Sequence, residues 1–520
     1  MRSCKFGAKV QRIIDNKAKK IIFCRETTTL KNTKPTVYCT KRDNFAAQFS
    51  KNMIRKFLIR PFILVVLLFV SSISAKADKK IYLLSDIHVM SPELLDSPDN
   101  AAWQAYLSES KKMVDFSVPI FNKLCSQIIA DKPDLLLIAG DMTKDAEKAS
   151  HEYVINKLTE IEASGIPVFV IPGNHDRDWQ ADGKVYQNNT AEDAKLLSSK
   201  RFPLHYELFG YGEGSDLHGT TLTYATELWP GLTLIGMDTG QTATIDADAV
   251  TWARKKANEA KDKGQQVIVM MHHALLPHIY GQEFIHASSV VANNEKIRDQ
   301  LMAAGVKVVL TGHYHVSDIT RYTNPQGQEI YDICTGSPIS YPCDYRILTF
   351  NHDFSELKIA TESVTEINEV PNFKDYAKGR LHDAVKIWAG KRIAFSEIGF
   401  INELAAGYVA DIFVIHAEGN EPQSDNTSLV SQLAAFAPDI FNEIILSMLG
   451  DYPSPEEKDN VVDDRELTIT MPALPTAIRQ LPTTPVADHP VWYTLQGVRL
   501  NSAPTLPGIY LKNGQKVIVK

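Results

Sequence analysis

Residues 170–179 read VIPGNHDRDW: a β-branched run meets Pro172-Gly173-Asn174, and His175 and Asp176 follow at once. Apolar residues running into Pro-Gly-Asn predict a strand that ends in a turn. An Asn-stabilised turn would explain the stretch by itself. The question is whether His175 and its neighbours are turn chemistry or the edge of a catalytic site, and the ends of the other strands decide it.

Outward from this stretch, short apolar runs alternate with helical ones from Lys79 onward. Ile81–Asp86 (IYLLSD), Asp134–Asp141 (DLLLIAGD), Thr233–Gly240 (TLIGMDTG), Gln266–His273 (QVIVMMHH) and Val306–His315 (VKVVLTGHYH) are near-continuous apolar runs of strand length. Strands buried on both faces require that pattern. Helix-like stretches over 100–131, 146–163, 246–263 and 293–304 lie between such runs. The βαβ alternation predicts right-handed crossovers and an α/β sheet with helices on its faces. Glu329–Ser337 and Arg346–His352 read as strands without a helix between them, so part of the sheet system is antiparallel or mixed. The alternation stops near Pro371. A helical region over 366–450 follows, then an acidic, Pro-containing linker over 451–489, then a small β unit over 490–520, a strand pair or triplet with Asn513-Gly514 as its hairpin turn.

Polar, metal-capable residues end one predicted strand after another: Asp86 and His88, Asp141, Asn174 with His175 and Asp176, His272 and His273, His313 and His315. Taken singly, Asp-x-His is most often a solvated loop and Gly-Asp a turn or helix cap. Histidine numbers only 15 in the chain, too few for so many to crowd strand ends by chance. The carboxyl ends of strands are where open α/β sheets assemble their sites.

Asp86-Ile87-His88, Gly140-Asp141, Gly173-Asn174-His175-Asp176, His272-His273 and Gly312-His313-Tyr314-His315 together resemble the motif set of the calcineurin-like metallophosphoesterase superfamily. The resemblance covers residues 79–362 and implies an αββα sandwich of four layers around two metal ions. It implies that Asp86, His88 and His315 bind one ion, that Asn174, His272 and His313 bind the other, and that Asp141 bridges both. His273 then faces substrate or supports the ligands. Carboxylate and imidazole donors suit Mn, Fe, Zn or Co. In such a centre a bridging hydroxide attacks phosphorus, and His175 protonates the leaving group. Asp176 or Asp145 is left to orient His175. Asp238, His278 and Tyr280 are candidates for the pocket wall, with ordinary loop or core positions the equal alternative.

Departures from the subfamilies narrow the substrate. Met142-Thr143-Lys144-Asp145 replaces the Val-Asp-Arg-Gly-like segment of protein Ser/Thr phosphatases, and Lys144 stands where purple acid phosphatases place a metal-binding Tyr. The segment is similar to the Gly-Asp-Leu-Thr type of class III cyclic-nucleotide and glycerophosphodiester phosphodiesterases. That implies a small phosphodiester; a phosphomonoesterase or nucleotidase, and a non-catalytic surface protein of the same fold, are the alternatives.

Arg55, Lys56 and Arg60, the apolar run Phe62–Val70 and Ala75-Lys76-Ala77 form the three parts of a secretory signal over 53–77, with cleavage expected before Asp78. The apolar run is too short to span a bilayer. Residues 1–52 then read as a non-native leader in front of Met53. Residues 1–77 carry 17 basic and 3 acidic residues, which leaves 38 basic and 59 acidic in the remainder, a net charge of −21. Such a surface repels nucleic-acid polymers. The protein is therefore expected outside the cytoplasm, periplasmic, on the cell surface or secreted, with no membrane span. The C-terminal VWYTLQGVRL and GIYLKNGQKVIVK resemble the sorting domain of type IX secretion cargo, which implies that the secretion machinery is a partner. Cys125, Cys334 and Cys343 show no metal-binding spacing; their odd number disfavours a disulfide framework, and only Cys334 with Cys343 would pair after export.

Overall fold

Leu135–Ala139, Leu232–Met237 and Gln266–Met271 are buried at every position, as is Ile81–Leu84, so these runs lie inside a layered structure rather than on one solvated face. The structure, a computed structural model, describes residues 12–15, 20–23, 77–179, 181–285, 288–392, 399–419, 421, 439–451, 461–473, 492–494, 499–500, 503–505, 508–512 and 515–519. The expected signal segment, but for Ala77, lies outside the described residues, as do Asn513-Gly514 and most of 451–489. Of residues 1–52 the described parts are two short antiparallel strands, Arg12–Asp15 and Lys20–Phe23.

From Lys79 the sheet strands are, in chain order, β1 (Lys79–Leu84), β2 (Leu135–Ala139), β3 (Val168–Ile171), β4 (Ser215–Leu217), β5 (Tyr224–Trp229), β6 (Leu232–Met237), β7 (Gln266–Met271), β8 (Val308–Thr311), β9 (Asp318–Thr323), β10 (Glu329–Cys334), β11 (Asp344–Phe350), β12 (Glu356–Ser363) and β13 (Glu466–Thr470). One sheet runs β13-β12-β11-β1-β2-β3 and the other β9-β10-β8-β7-β6-β5-β4. The strands that end in the sequence motifs each pair in parallel with a neighbour: β1, β2 and β3 in the first sheet, β7 and β8 in the second. The sheets approach closely at Gly236 of β6, where a Cβ would sit 2.8 Å from Ile171 Cγ2 of β3. Alanine there would push the layers apart.

Helices cover the outer faces and complete the four-layer α/β sandwich. Helix α1 (Ala101–Glu109) starts where the Asn100 side chain accepts the amides of Ala102 and Trp103. Helix α2 (Ser117–Asp131) buries Ile120, Phe121, Leu124, Cys125 and Ile128, one apolar stripe. Helix α3 (Lys148–Ala163) packs beside it. Helix α4 (Ala247–Asp262) is capped by Asp246, and its buried Ala249, Ala253, Ala257 and Ala260 let it lie close to β6 and β7. Helix α5 (Asn294–Ala303) adjoins it.

Two expectations change. The helix expected over 100–131 is two helices, because the chain turns extended at Ser110, whose hydroxyl bonds the Lys112 backbone instead of continuing the ladder. The segment 451–489 is not linker throughout. Its acidic composition hides β13, whose buried Ile469 and β-branched neighbours pair with β12. Cys125, Cys334 and Cys343 are separate buried thiols. The helical region holds α6 (Phe373–Arg392), α7 (Gly399–Glu418) and α8 (Asp439–Gly450). The C-terminal unit is a four-stranded antiparallel sheet made by Trp492–Thr494, Arg499–Leu500, Gly508–Lys512 and Gln515–Val519. Among the described residues no helix is long and apolar enough to cross a membrane.

Candidate metal centre

The loops that leave β1, β2, β3, β7 and β8 are laced together by their own backbones. Asp86 N–H donates to Gly140 O, His88 N–H to Asp141 O, and Gly312 N–H to His272 O. Asp86, His88, Asp141, His313 and His315 all adopt left-handed backbone angles, φ between 39 and 68°. Each such residue costs about 1 kcal/mol or more, and that strain concentrates where side chains must be aimed inward. Gly312 has no alternative, since a Cβ would lie 1.8 Å from Ser85 Oγ.

The seven expected ligands fall into two overlapping groups. In the first, Asp86 Oδ1 lies 3.2 Å from His315 Nε2 and 3.7 Å from His88 Nε2, and the two imidazole nitrogens are 3.1 Å apart. In the second, His272 Nε2 lies 3.1 Å from Asn174 Oδ1 and 3.2 Å from His313 Nδ1. Asp141 Oδ2 belongs to both, 3.2 Å from His272 Nε2 and 3.7 Å from His88 Nε2. The other Asp141 oxygen accepts the His175 amide at 2.8 Å.

These residues fit cations on three counts. Donor atoms around a metal with bonds of about 2.1 Å stand roughly 3.0–3.4 Å apart, close to the spacings here. Asp86 Oδ2 is satisfied by Ser85 Oγ and the His313 amide, whereas Asp86 Oδ1 is buried and accepts no hydrogen bond. His272 Nδ1 bonds the Ala139 carbonyl at 2.8 Å and must donate there, so its Nε2 faces two oxygens and another imidazole. Such a crowd of acceptors calls for positive charge at Nε2, which a proton or a metal cation supplies. Burial works against a charged His272, yet the Asp141 carboxylate outweighs it and raises the imidazole to about 9. His88 goes the other way, pushed well down by burial and the nearby Lys112 ammonium.

His175 stands beside this centre with Nδ1 2.7 Å from Asp145 Oδ1. Burial tends to raise the Asp145 carboxyl, but the His175 hydrogen bond and the Lys144 charge prevail and hold it at about 2. Lys144 is itself buried, 2.5 Å from Asp145 and 3.8 Å from Glu147. Asp176, expected as a catalytic residue, does other work. Its carboxylate accepts the amides of Gly173, Met142 and Thr143 and the Thr143 hydroxyl, so it ties the β3 turn to the β2 turn. The short turn Asn174–Asp176 bends that side chain back onto its own start, away from His175. Asp145, the other candidate, is the one in contact.

Of the remaining candidates, His273 bonds Thr239 Oγ1 and its ring lies 4.3 Å from that of His313. Asp238 pairs with Arg177 and backbone amides, and His278 sits between Asp318 and Asp332. Tyr280 donates its amide to Ser447. None of these four lines the pocket over the centre, a space of about 660 Å³. Its outer wall comes instead from residues sequence reasoning did not single out: Tyr106 of α1, Lys111 and Lys112 between α1 and α2, and Leu381, Trp388 and Phe413 of α6 and α7. Lys112 Nζ is 3.4 Å from His88 Nδ1, and Lys111 Nζ rides 4.6 Å above the Trp388 ring. Only their helical period was visible beforehand, not where the helices dock.

Residues 79–317 match the family model described as calcineurin-like phosphoesterase, a span that contains all seven ligands and His175. Over that span the chain carries a domain similar to the calcineurin-like phosphoesterases. The donor groups that could hold metal ions come together within it. No curated protein matches the sequence. Among solved structures, a dimetal phosphatase from Danio rerio is 13% identical, covering 55% of this chain and 96% of its own, with a TM-score of 0.40. A sulfate thiohydrolase from Thermus thermophilus in complex with glycerol is 14% identical over 59% of this chain and 60% of its own, at 0.29. A protein serine/threonine phosphatase from Saccharomyces cerevisiae is 10% identical over 61% and 94%, at 0.26.

Proposed function

We propose that the protein hydrolyses small phosphodiesters, with Asp86, His88 and His315 holding one divalent transition-metal ion, Asn174, His272 and His313 a second, and Asp141 shared. The observation that carries this is the overlap of the two donor groups at a single oxygen, Asp141 Oδ2. Bound ions would supply Lewis acidity to the phosphoryl oxygens and an acidified water as nucleophile. The chain supplies the rest. Asp141 belongs to both donor sets, so its anion offsets repulsion between neighbouring cations. Asp145 fixes His175 through Nδ1, which leaves Nε2 to give its proton to the leaving oxygen. Lys144 and Glu147 hold Asp145 in turn. The apolar wall of Leu381, Trp388 and Phe413 gives room for two ester substituents beside the centre.

A phosphomonoester reading has one observation in its favour. The Lys112 ammonium, in the pocket and beside His88, would pair with the extra negative charge of a monoester dianion. Comparing kcat/KM on bis-p-nitrophenyl phosphate and p-nitrophenyl phosphate, with Mn, Fe, Zn and Co each supplied, separates the two. A higher value for the diester supports the proposal, and a preference for the monoester replaces it with the second reading. Asp141→Asn should lower both by more than about 10³-fold; unchanged hydrolysis would remove the site assignment. The signal at 53–77 and the C-terminal four-stranded sheet support a location outside the cytoplasm, reached with a type IX sorting unit. Protein retained in the cytoplasm of its native cells would overturn that part.

A further inference from the structure

Three residues beyond His315, Asp318 opens β9 and meets two carboxylates from far along the chain. Asp451 follows the end of α8, and Asp464 precedes β13. All three are buried, and their carboxylate oxygens lie within 4.8 Å of one another. Two cationic groups, His278 and Arg346, adjoin these acids. His278 Nδ1 is 2.6 Å from Asp318 Oδ1, but its other nitrogen lies toward Asp332, which divides its charge between two acids. Buried Arg346 donates to the carbonyls of Cys334, Asp318 and Asp464 and to the Thr361 hydroxyl. Glu421 adds another carboxylate, matched by His416 at 2.5 Å. Asp464 Oδ1 accepts the Ile319 amide.

An observation of a different kind comes from Asp318 itself. Its Oδ2 is wholly buried and accepts no hydrogen bond, although a carboxylate oxygen out of water is costly to leave unmatched. Positive charge is what the place lacks.

We propose that Asp318, Asp451 and Asp464 hold a hard divalent cation of calcium size, apart from the catalytic pair. Oxygen-only donors select calcium or magnesium over softer metals. Magnesium keeps several waters and takes only one or two carboxylates, so three buried carboxylates suit the flexible shell of calcium better. The cation fastens the end of α8 and the start of β13 to β9, and so fixes the helical region whose α6 and α7 wall the pocket.

The test is equilibrium dialysis of the full-length protein, saturated with Mn²⁺, against radiolabelled Ca²⁺. Wild type and Asp141→Asn each retain one calcium per chain, whereas Asp451→Asn and Asp464→Asn bind it at least about 100-fold more weakly. Wild-type Tm rises with each tenfold step in calcium by mass action, and that of Asp451→Asn stays level. Wild type that binds no calcium at millimolar concentration overturns the proposal, as does binding retained by both variants. Asp451→Asn that outlasts calcium-treated wild type on heating also overturns it, since the carboxyls would then be sharing a proton.

Discussion

Two buried polar clusters both draw on the segment from His313 to Asp318 and differ in how they are built. Around Asp141, four imidazoles, an amide and carboxylates project from the ends of five parallel strands. Around Asp318, three carboxylates come from a strand start, a helix end and a late loop. Nitrogen-rich donors on rigid strand ends suit transition metals that must also do chemistry. Oxygen-only donors from distant segments suit a cation that joins them. The difference teaches that one fold can separate reactivity from fastening by donor type alone.

Exchanging metals is the strongest way to break this comparison. In chelator-stripped protein, Mn²⁺ should restore hydrolysis by more than about 10³-fold while Ca²⁺ restores heat stability without activity. Calcium that restored turnover would merge the two clusters into one. A smaller effect separates the centre from its proton donor. Asp145→Asn should slow hydrolysis of esters with alkyl leaving groups by about 10²-fold and barely affect p-nitrophenyl esters, whose leaving group needs no proton. Equal losses on both would give Asp145 a structural task only.

The smallest effect concerns acid. Asp145, held at about 2 against an ordinary 3.8, carries stability that is present above pH ~4 and lost as the pH falls toward 2. That amounts to about 2 kcal/mol, roughly 30-fold in the folding constant. Urea unfolding at pH 5 and near pH 2.5 should show a steeper loss for wild type than for Asp145→Asn. The reverse order would mean that the Lys144 and His175 contacts do not hold the carboxylate.

The legible parts of this molecule were the local ones. β1, β2, β3, β7 and β8 announce themselves as apolar runs, and each places its Asp, Asn or His within four residues of its end. Whether Asp145 or Asp176 serves His175 was not legible, because it depends on which way a three-residue turn folds its side chain. Trp388, Phe413 and Lys112 reach the pocket through the docking of helices, and helical period carries no docking information. β13 was missed because five residues inside an acidic segment give too short a pattern. Asp318, Asp451 and Asp464 share no motif at all; only tertiary structure gathers them.

The pairing of β13 with β12 has a practical consequence. Arg465 O accepts the Thr361 amide, and Ala360 stands opposite Glu466, so the chain leaves the sheet after Ser363 and comes back to almost the same place. The helices between are an excursion with both feet on one strand. A protein cut short after Ser363 would bare the whole flank of β12, a row of unpaired amides and carbonyls that invites another molecule to add a strand. An internal deletion that rejoins 363 to 465 through a hairpin-length loop keeps that flank covered. A minimal catalytic unit should therefore be made by excision, and a simple truncation should aggregate.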